Sequence, residues 1–553
     1  MENTKGDKRI KKEGFMQSVL LLMISQLAIK LLGLIYKIYL TNKPGYGDVG
    51  NAIGGSGYQI YALLLTISSI GVPNAISKLV AEKVVVGDNK GAHRIFKIAL
   101  LTFGIIGFIG TMILFLGAGY IANIILQIPE AEMTLIALSP SIFFVTIASV
   151  MRGYFNGREK ISVTAKSQTL EQIFKTLLTV IVVEIVGIST NLDTTFMSAG
   201  ANLATTLSVL LSFGYLSIYY RIYKSHIAND IKNTVNHRKE SILIVVKKIL
   251  FVSTPITLSA IMSTLNKNID SITVVKGLKK FLTESEAKLQ YGILNGKVDT
   301  LTTLPLSFNI AFATALVPYV ASSIAKGDKE NASKRISFSI LISIIIGLPC
   351  TVGMIIFAQP IIDLLFPNAT NGAMLLQASA ITIIFSVLAQ TVNGALQGLG
   401  KIMVPAITSI IGLIAKLILN IYLIQIPPIG IYGAIIGSIV NNILVFCLSY
   451  IILMKTIKVN LKFSKSVIKP ILATIIMGIC SYFIYFNLYS IISKRIATII
   501  AITFAIIIYL LAIITLKTLS KEEILMIPYG IKIIKILEKL RIYKKEAGKG
   551  EQT

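Results

Sequence analysis

Lysines stand well inside stretches apolar enough to lie in a membrane: Lys30, Lys37, Lys175, Lys267, Lys297 and Lys416. Glu171, Asp270 and Asp299 share those stretches. An ionised side chain in hydrocarbon costs roughly 2.5–3.5 kcal/mol on insertion scales, so such residues mark a water-filled path, a binding site or an ion pair. Glu171 and Lys175 are spaced i,i+4, which sets them on one helix face as an ion pair or as coupling groups. Lys267 and Asp270 fall near one helix end, as do Lys297 and Asp299, and Lys37, Lys267 and Lys297 are placed to snorkel. Lys30 lies midway along its stretch, and Lys416 is similarly deep with no acidic residue on its own helix. Cations outnumber anions, which points to an anionic substrate; a cation exporter is expected to line its path with carboxylates.

Other chemistry is missing from the sequence. Cys350, Cys447 and Cys480 have no CxxC spacing and fall in apolar stretches, as small buried residues do. His93, His226 and His237 form no metal-ligand pattern. No phosphate-binding glycine loop or nucleophile elbow occurs. The expectation is no cofactor and no catalysis, with transport driven by Na+, H+ or the membrane potential, and with Glu171, Lys175, Lys267 and Asp270 as candidates for that coupling or for ion pairing.

The elements that must position these residues are membrane helices. The chain of 553 residues is 54% hydrophobic and 14% charged, with a mean hydropathy of +0.77. A helical span needs about 20 apolar residues, and fourteen such spans are expected: 15–40, 57–82, 95–121, 132–157, 161–188, 193–222, 243–272, 291–324, 336–365, 370–399, 402–426, 429–455, 467–489 and 495–517. Strand-like alternation is absent, so the fold class is all-α and polytopic. The net charge of +27 is distributed in a way that excludes nucleic acid as its explanation. No Lys or Arg occurs in 98–151, 176–220, 336–400 or 417–454, and the basic residues gather in the alternate connections. That positive-inside pattern puts both termini in the cytoplasm. The link 273–290 breaks it, carrying Lys276, Lys279, Lys280 and Lys288 with Glu284 and Glu286 on the outer side. In 518–553, Ile524, Ile527, Ile531 and Ile534 recur at helical spacing among lysines, as in a basic amphipathic helix on an anionic leaflet.

The chain also repeats itself. Residues 153–177 align with 394–418 without a gap, matching Gly153 with Gly394, Gly157 with Gly398, Lys160 with Lys401 and Lys175 with Lys416. A weaker echo pairs Val72-Pro73, Gly87-Asp88 and Arg94-Ile95 with Val317-Pro318, Gly327-Asp328 and Arg335-Ile336. Six helices per half is even, so the halves share one orientation about an axis along the membrane normal. Glu171 can neutralise Lys175, whereas its counterpart Gly412 cannot neutralise Lys416, which singles out Lys416 for a cavity-facing role.

Specific motifs carry a family resemblance. The runs Lys30-Leu31-Leu32-Gly33-Leu34-Ile35-Tyr36-Lys37 and Gly71-Val72-Pro73-Asn74-Ala75-Ile76-Ser77-Lys78 resemble the polysaccharide-flippase branch of the MOP superfamily. So do Ser139-Pro140, Arg152-Gly153-Tyr154-Phe155-Asn156-Gly157 and Ser167-Gln168-Thr169-Leu170-Glu171-Gln172. Over 15–517 the chain is most similar to MurJ-type lipid II flippases and stage V sporulation protein B. The resemblance implies two six-helix lobes related by a pseudo-twofold around a central cavity, with two further helices forming a groove for a polyprenyl tail. On this sequence the divisions are 1–14 (cytoplasmic N-terminus), 15–222 (first lobe), 223–242 (cytoplasmic linker), 243–455 (second lobe), 456–517 (tail groove) and 518–553 (basic tail). It also implies transfer of an undecaprenyl-diphosphate-linked sugar between leaflets by alternating access. The expected partners are that lipid, anionic membrane lipids and the cell-wall synthesis machinery. Substrate-binding positions carry over to Lys30, to Lys78 and to the acidic-basic pair near Asp299. There Thr300 replaces the basic member and Tyr36 stands where Arg is frequent, so Lys37 and Lys297 are expected to supply charge from adjacent turns. The other functional classes are a cation or drug antiporter of the same superfamily and a scaffold that binds lipid precursors without moving them.

Overall fold

The computed structural model describes residues 15–67, 71–232, 234, 240–459, 461, 464–525 and 530–539. The cytoplasmic N-terminus, His237 with part of the linker, and half of the basic tail (526–529 and 540–553) fall outside the described residues. Among the described residues every regular element is a helix. Lipid offers no partner for backbone N–H and C=O groups, so apolar segments of this length satisfy them internally.

In the first half α1 (Phe15–Asn42), α2 (Gly47–Leu65), α3 (Gly71–Val85), α4 (Asn89–Tyr120), α5 (Ala131–Gly157), α6 (Ile161–Ser189) and α7 (Thr194–Lys232) follow one another. Next come α8 (Ile242–Leu278), α9 (Glu284–Gly292), a π-helical stretch Ile293–Val298 and α10 (Asp299–Ala325). The chain continues with α11 (Lys329–Ile356), α12 (Ala358–Leu365), α13 (Ala373–Gly398), α14 (Met403–Leu423) and α15 (Tyr432–Thr456). It closes with α16 (Lys469–Tyr489), α17 (Lys494–Thr515), α18 (Lys521–Leu525) and α19 (Gly530–Lys539). Among the described residues eleven helices are long and apolar enough to cross a membrane, or twelve with α8 counted as one span bent by 44° just past Pro255. A total of fourteen requires α1 and the α2–α3 pair to span as well. Pro73 stands in the first turn of α3, where a missing N–H costs nothing.

Contacts divide the chain into two compact units, Met1–Gly296 and Lys297–Thr553. In the first, α5 packs on α3, α4 and α7, α6 packs on α1 and α7, and α8 lies on α2, α3 and α4. In the second, α13 packs on α10, α11 and α15, α14 packs on α15, and α16 joins α11 and α17. The sequence division by repeat assigns residue 243 onward to the second half, whereas α8 and α9 pack with the first unit; the two divisions record ancestry and contact respectively.

The duplication is written into this packing. A Cβ on Gly153 would lie 2.7 Å from the Pro73 carbonyl oxygen, and one on Gly157 would lie 2.7 Å from that of Ser77. In the second unit a Cβ on Gly394 would lie 2.8 Å from the Ala313 oxygen, and one on Gly398 the same distance from that of Val317. Each pair of glycines, one helical turn apart, thus lets two backbones touch. The turns after them match as well: Lys160 N donates to Phe155 O and Lys401 N to Leu396 O, both at 2.9 Å. Asp88 caps α4 through Gly91 N at 2.8 Å, and Asp328 caps α11 through Asn331 N at 2.9 Å, each after a glycine near φ +77° (+78° and +76°). The contacts pair Ser77 with Val317, and therefore Pro73 with Ala313. The sequence match of Pro73 to Pro318 is corrected accordingly: the two prolines stand more than a turn apart in equivalent helices. Gly153→Leu and Gly394→Leu are each expected to lower the thermal midpoint in detergent by several degrees, because backbone cannot retreat as a side chain can. Size-exclusion and tryptophan-free near-UV melting curves check this.

The link 273–290 is a helix start. Thr283 and Glu286 form a capping box on α9, and Lys288 is 2.6 Å from both Glu130 and Glu284. Lys279 also pairs with Glu284 at 2.8 Å, so local carboxylates offset part of the link's positive charge. At the opposite end Glu240 bridges Lys248 (2.7 Å) and Lys83 (3.1 Å), and these ammonium groups hold its carboxyl below the usual range.

Candidate functional site

The first unit gathers polar side chains on α1, α2, α6 and α8. Lys30 of α1 is exposed, and the like charge of Lys267, half-buried on α8, acts on it. One turn beyond Lys30, Gly33 faces Gln172 of α6. Lys175 of α6 lies over two tyrosine rings, 5.2 Å from the centroid of Tyr36 and 4.7 Å from that of Tyr58. Such rings attract a cation through their electron-rich faces without cancelling its charge. Lys37 donates to Asn51 Oδ1 at 2.9 Å, and Asn51 in turn donates to Thr41 at 2.8 Å. Lys30, Lys175 and Lys267 therefore bring cationic side chains of α1, α6 and α8 into one region of the first unit.

The i,i+4 ion pair expected of Glu171 and Lys175 is replaced by a longer-range one. Glu171 accepts from Arg152 of α5 at 2.7 Å. Arg152 also donates to Ser167 and Ser212, both at 2.9 Å, tying α5, α6 and α7 together. α5 runs on to Gly157 and carries Arg152, 7% exposed, inside the bundle. The second unit holds the neutral counterpart. Asn393 accepts from Ser449 at 2.9 Å, and the hydroxyls of Ser449 and Thr408 are 3.0 Å apart. At the offset of the duplicated segment Arg152 becomes Asn393, Ser167 becomes Thr408 and Glu171 becomes Gly412. The amide of Asn441 occupies the space a side chain on Gly412 would need. One fold position is thus charged in the first unit and neutral in the second.

Three expected binding residues lie elsewhere. Lys416 is 1% exposed and packs against Gly437, where the missing side chain on α15 makes room for its stem. It does not reach open space, contrary to the cavity-facing role expected of it. Lys297 has no exposed surface and donates to the carbonyls of Ala369 (2.8 Å) and Asn371 (2.7 Å), pinning the turn before α13. It neither snorkels nor faces a ligand. Lys297→Met keeps the stem and removes these donors, so hydrogen exchange in 366–372 is expected to rise at least about fivefold, since two charge-assisted hydrogen bonds that tie the turn are lost. Lys78 is exposed beside Glu82 at 4.0 Å, a surface pair on α3. Asp299 opens α10 half-buried, and Asp270 is half-buried on α8 with partners of its own.

Residues 15–324 match the polysaccharide biosynthesis protein family, more than half of the chain. The chain belongs to that family. Residues 297–422 also match the MatE family. Among its relatives, stage V sporulation protein B of Bacillus subtilis (strain 168) is 25% identical over 82% of this chain and 86% of that protein. Lipid II flippase MurJ of the same organism is 25% identical over 75% of this chain and 78% of that protein. The fold is that of solved MOP-superfamily transporters. An inward-facing multidrug resistance MATE family transporter aligns with a TM-score of 0.64 at 15% identity, over 78% of this chain and 98% of that one. Lipid II flippase MurJ in an inward closed conformation aligns with a TM-score of 0.60 at 16% identity, over 89% of this chain and 98% of that one. The family member described here is therefore a multi-pass membrane protein of the MOP superfamily, similar to MurJ and stage V sporulation protein B, as its motifs imply.

Proposed function

We propose that this family member is a flippase that moves an undecaprenyl-diphosphate-linked cell-wall precursor, in particular lipid II, from the inner to the outer leaflet of the bacterial cell membrane. The observation that carries this reading is the gathering of cationic side chains in the first unit, where Lys30 is exposed, Lys175 lies over two tyrosine rings and Lys267 is half-buried. A diphosphate crossing hydrocarbon needs counter-charge, and flexible ammonium groups can follow it as it moves. Both termini are taken to be cytoplasmic, and Glu171 and Asp270 are the carboxylates proposed to feel H+, Na+ or the membrane potential.

The test is reconstitution in vesicles with lipid II bearing a fluorescent headgroup. Dithionite added outside is expected to bleach the inner-leaflet pool within minutes in vesicles that contain the protein. Binding without bleaching would instead favour a lipid-precursor scaffold. The match of 297–422 to the MatE family supports a second reading, cation-driven drug antiport. An ion-gradient-dependent drug flux with no headgroup transfer would establish it.

A further inference from the structure

A seam of glycines joins α2 to the α9 segment, at the end of the first unit opposite the lysine-rich connections. A side chain on Gly292 would overlap the Asp48 carbonyl, and one on Gly55 would overlap the Asn295 amide. A Cβ on Gly296 would lie 2.5 Å from Cγ of Asn51. Beyond the seam Lys288 clamps α9 to Glu130. Asn51 is fully buried in this seam, and its amide orientation is set from the other side: Oδ1 accepts from Lys37, and Nδ2 donates to Thr41. Lys37 is half-buried on α1, the helix that also carries Lys30.

We propose that Asn51 is a positioning residue that couples anion binding at Lys37 to separation of α2 from the α9 segment. The proposal rests on the diphosphate-lipid reading above. When an anion draws the Lys37 ammonium away, Asn51 Oδ1 loses its donor inside a dry seam. Its amide must then turn, and the Gly296 backbone, in van der Waals contact with it, leaves no room to do so while the seam stays closed. A ligand shifts a two-state equilibrium only by its differential interaction with the two states, and here that difference is the Lys37–Asn51 bond, present with the seam closed and absent with it open. The glycines make the seam sensitive: close-packed backbone surfaces separate as a unit and do not deform gradually.

The experiment uses full-length protein in nanodiscs with Cys350, Cys447 and Cys480 replaced by serine. Spin labels at Pro44→Cys, in the turn that leads into α2, and Ser285→Cys on α9, both exposed, report the distance across the seam by double electron–electron resonance. Undecaprenyl diphosphate is expected to shift the closed-to-open ratio about tenfold toward the longer distance. In Asn51→Leu the longer distance is expected to prevail without ligand and to stay unchanged when ligand binds. Lys37→Met, which strips the same donor from Asn51 Oδ1, is expected to favour the longer distance without ligand and to remove the ligand response. Undecaprenyl diphosphate that binds parent protein without changing the distance, or that opens Asn51→Leu and Lys37→Met as it opens the parent, overturns the coupling alone. Failure of undecaprenyl diphosphate to bind the parent overturns the coupling together with the flippase reading.

Discussion

Reversing two charges, Lys30→Glu with Lys267→Glu, is expected to reduce lipid II translocation in vesicles at least about hundredfold while leaving the thermal midpoint within a few degrees of the parent. Lys30 is exposed and Lys267 half-buried, and no side-chain hydrogen bond or ion pair that holds helices together runs through either ammonium among the described contacts. Their like charges repel, so the empty site carries an electrostatic cost that an anion relieves. Placing carboxylates there sets like charge against a diphosphate, which costs several kcal/mol, and each 1.4 kcal/mol is a factor of ten. Lys416→Ala should behave in the opposite way. Its stem is buried against Gly437, so the substitution opens a cavity and lowers the midpoint, and translocation per folded molecule should change little. Near-normal translocation by the Lys30→Glu, Lys267→Glu protein would remove the cationic-site proposal, and a loss confined to Lys416→Ala would move the site to the second unit.

The contrast between Lys30 and Lys416 marks the limit of what spacing reveals. The helices were legible because hydrocarbon forces an apolar run of sufficient length to satisfy its own backbone. The duplicated turns were legible because Gly153, Gly157 and Lys160 recur at one offset, and only close backbone approach needs glycines in that register. Whether a lysine inside a span meets water depends on the helix opposite, which local sequence does not contain. Lys416 is buried because α15 presents Gly437, and Lys297 because a turn some seventy residues later (Ala369 and Asn371) presents carbonyls. Tyr58 and Asn51 left no signal, since an isolated tyrosine or asparagine near a helix end is ordinary. Arg152 did leave one. It sits at the duplicated position opposite Asn393, and a charge on one side of an internal repeat where the other side is neutral is a place to look for asymmetry of function.

That asymmetry has a measurable energetic consequence at Arg152. Arg152→Leu is expected to destabilise the protein by about 3–5 kcal/mol, because it strands the Glu171 carboxylate beside Ser167 and Ser212 without a cation. Glu171 keeps some exposure (28%), which places the value toward the lower end of that range. Glu171→Gln should cost only about 1 kcal/mol, since its amide oxygen still accepts from the guanidinium. Arg152→Lys should recover only part of the loss: one ammonium cannot reach a carboxylate and two hydroxyls set around a planar fork. At the equivalent place in the second unit, Asn393→Leu removes one acceptor from a neutral cluster and should cost about 1 kcal/mol. Reversible unfolding in mixed micelles separates these cases, and the Arg152→Leu, Glu171→Leu double variant should be more stable than Arg152→Leu alone. Equal costs at Arg152 and Asn393 would show that the ion pair adds nothing beyond the hydrogen bonds the repeat already supplied. A large cost at Arg152 alone would leave the first unit as the half that evolved a charged joint between α5, α6 and α7, directly behind the lysine and tyrosines of its interior.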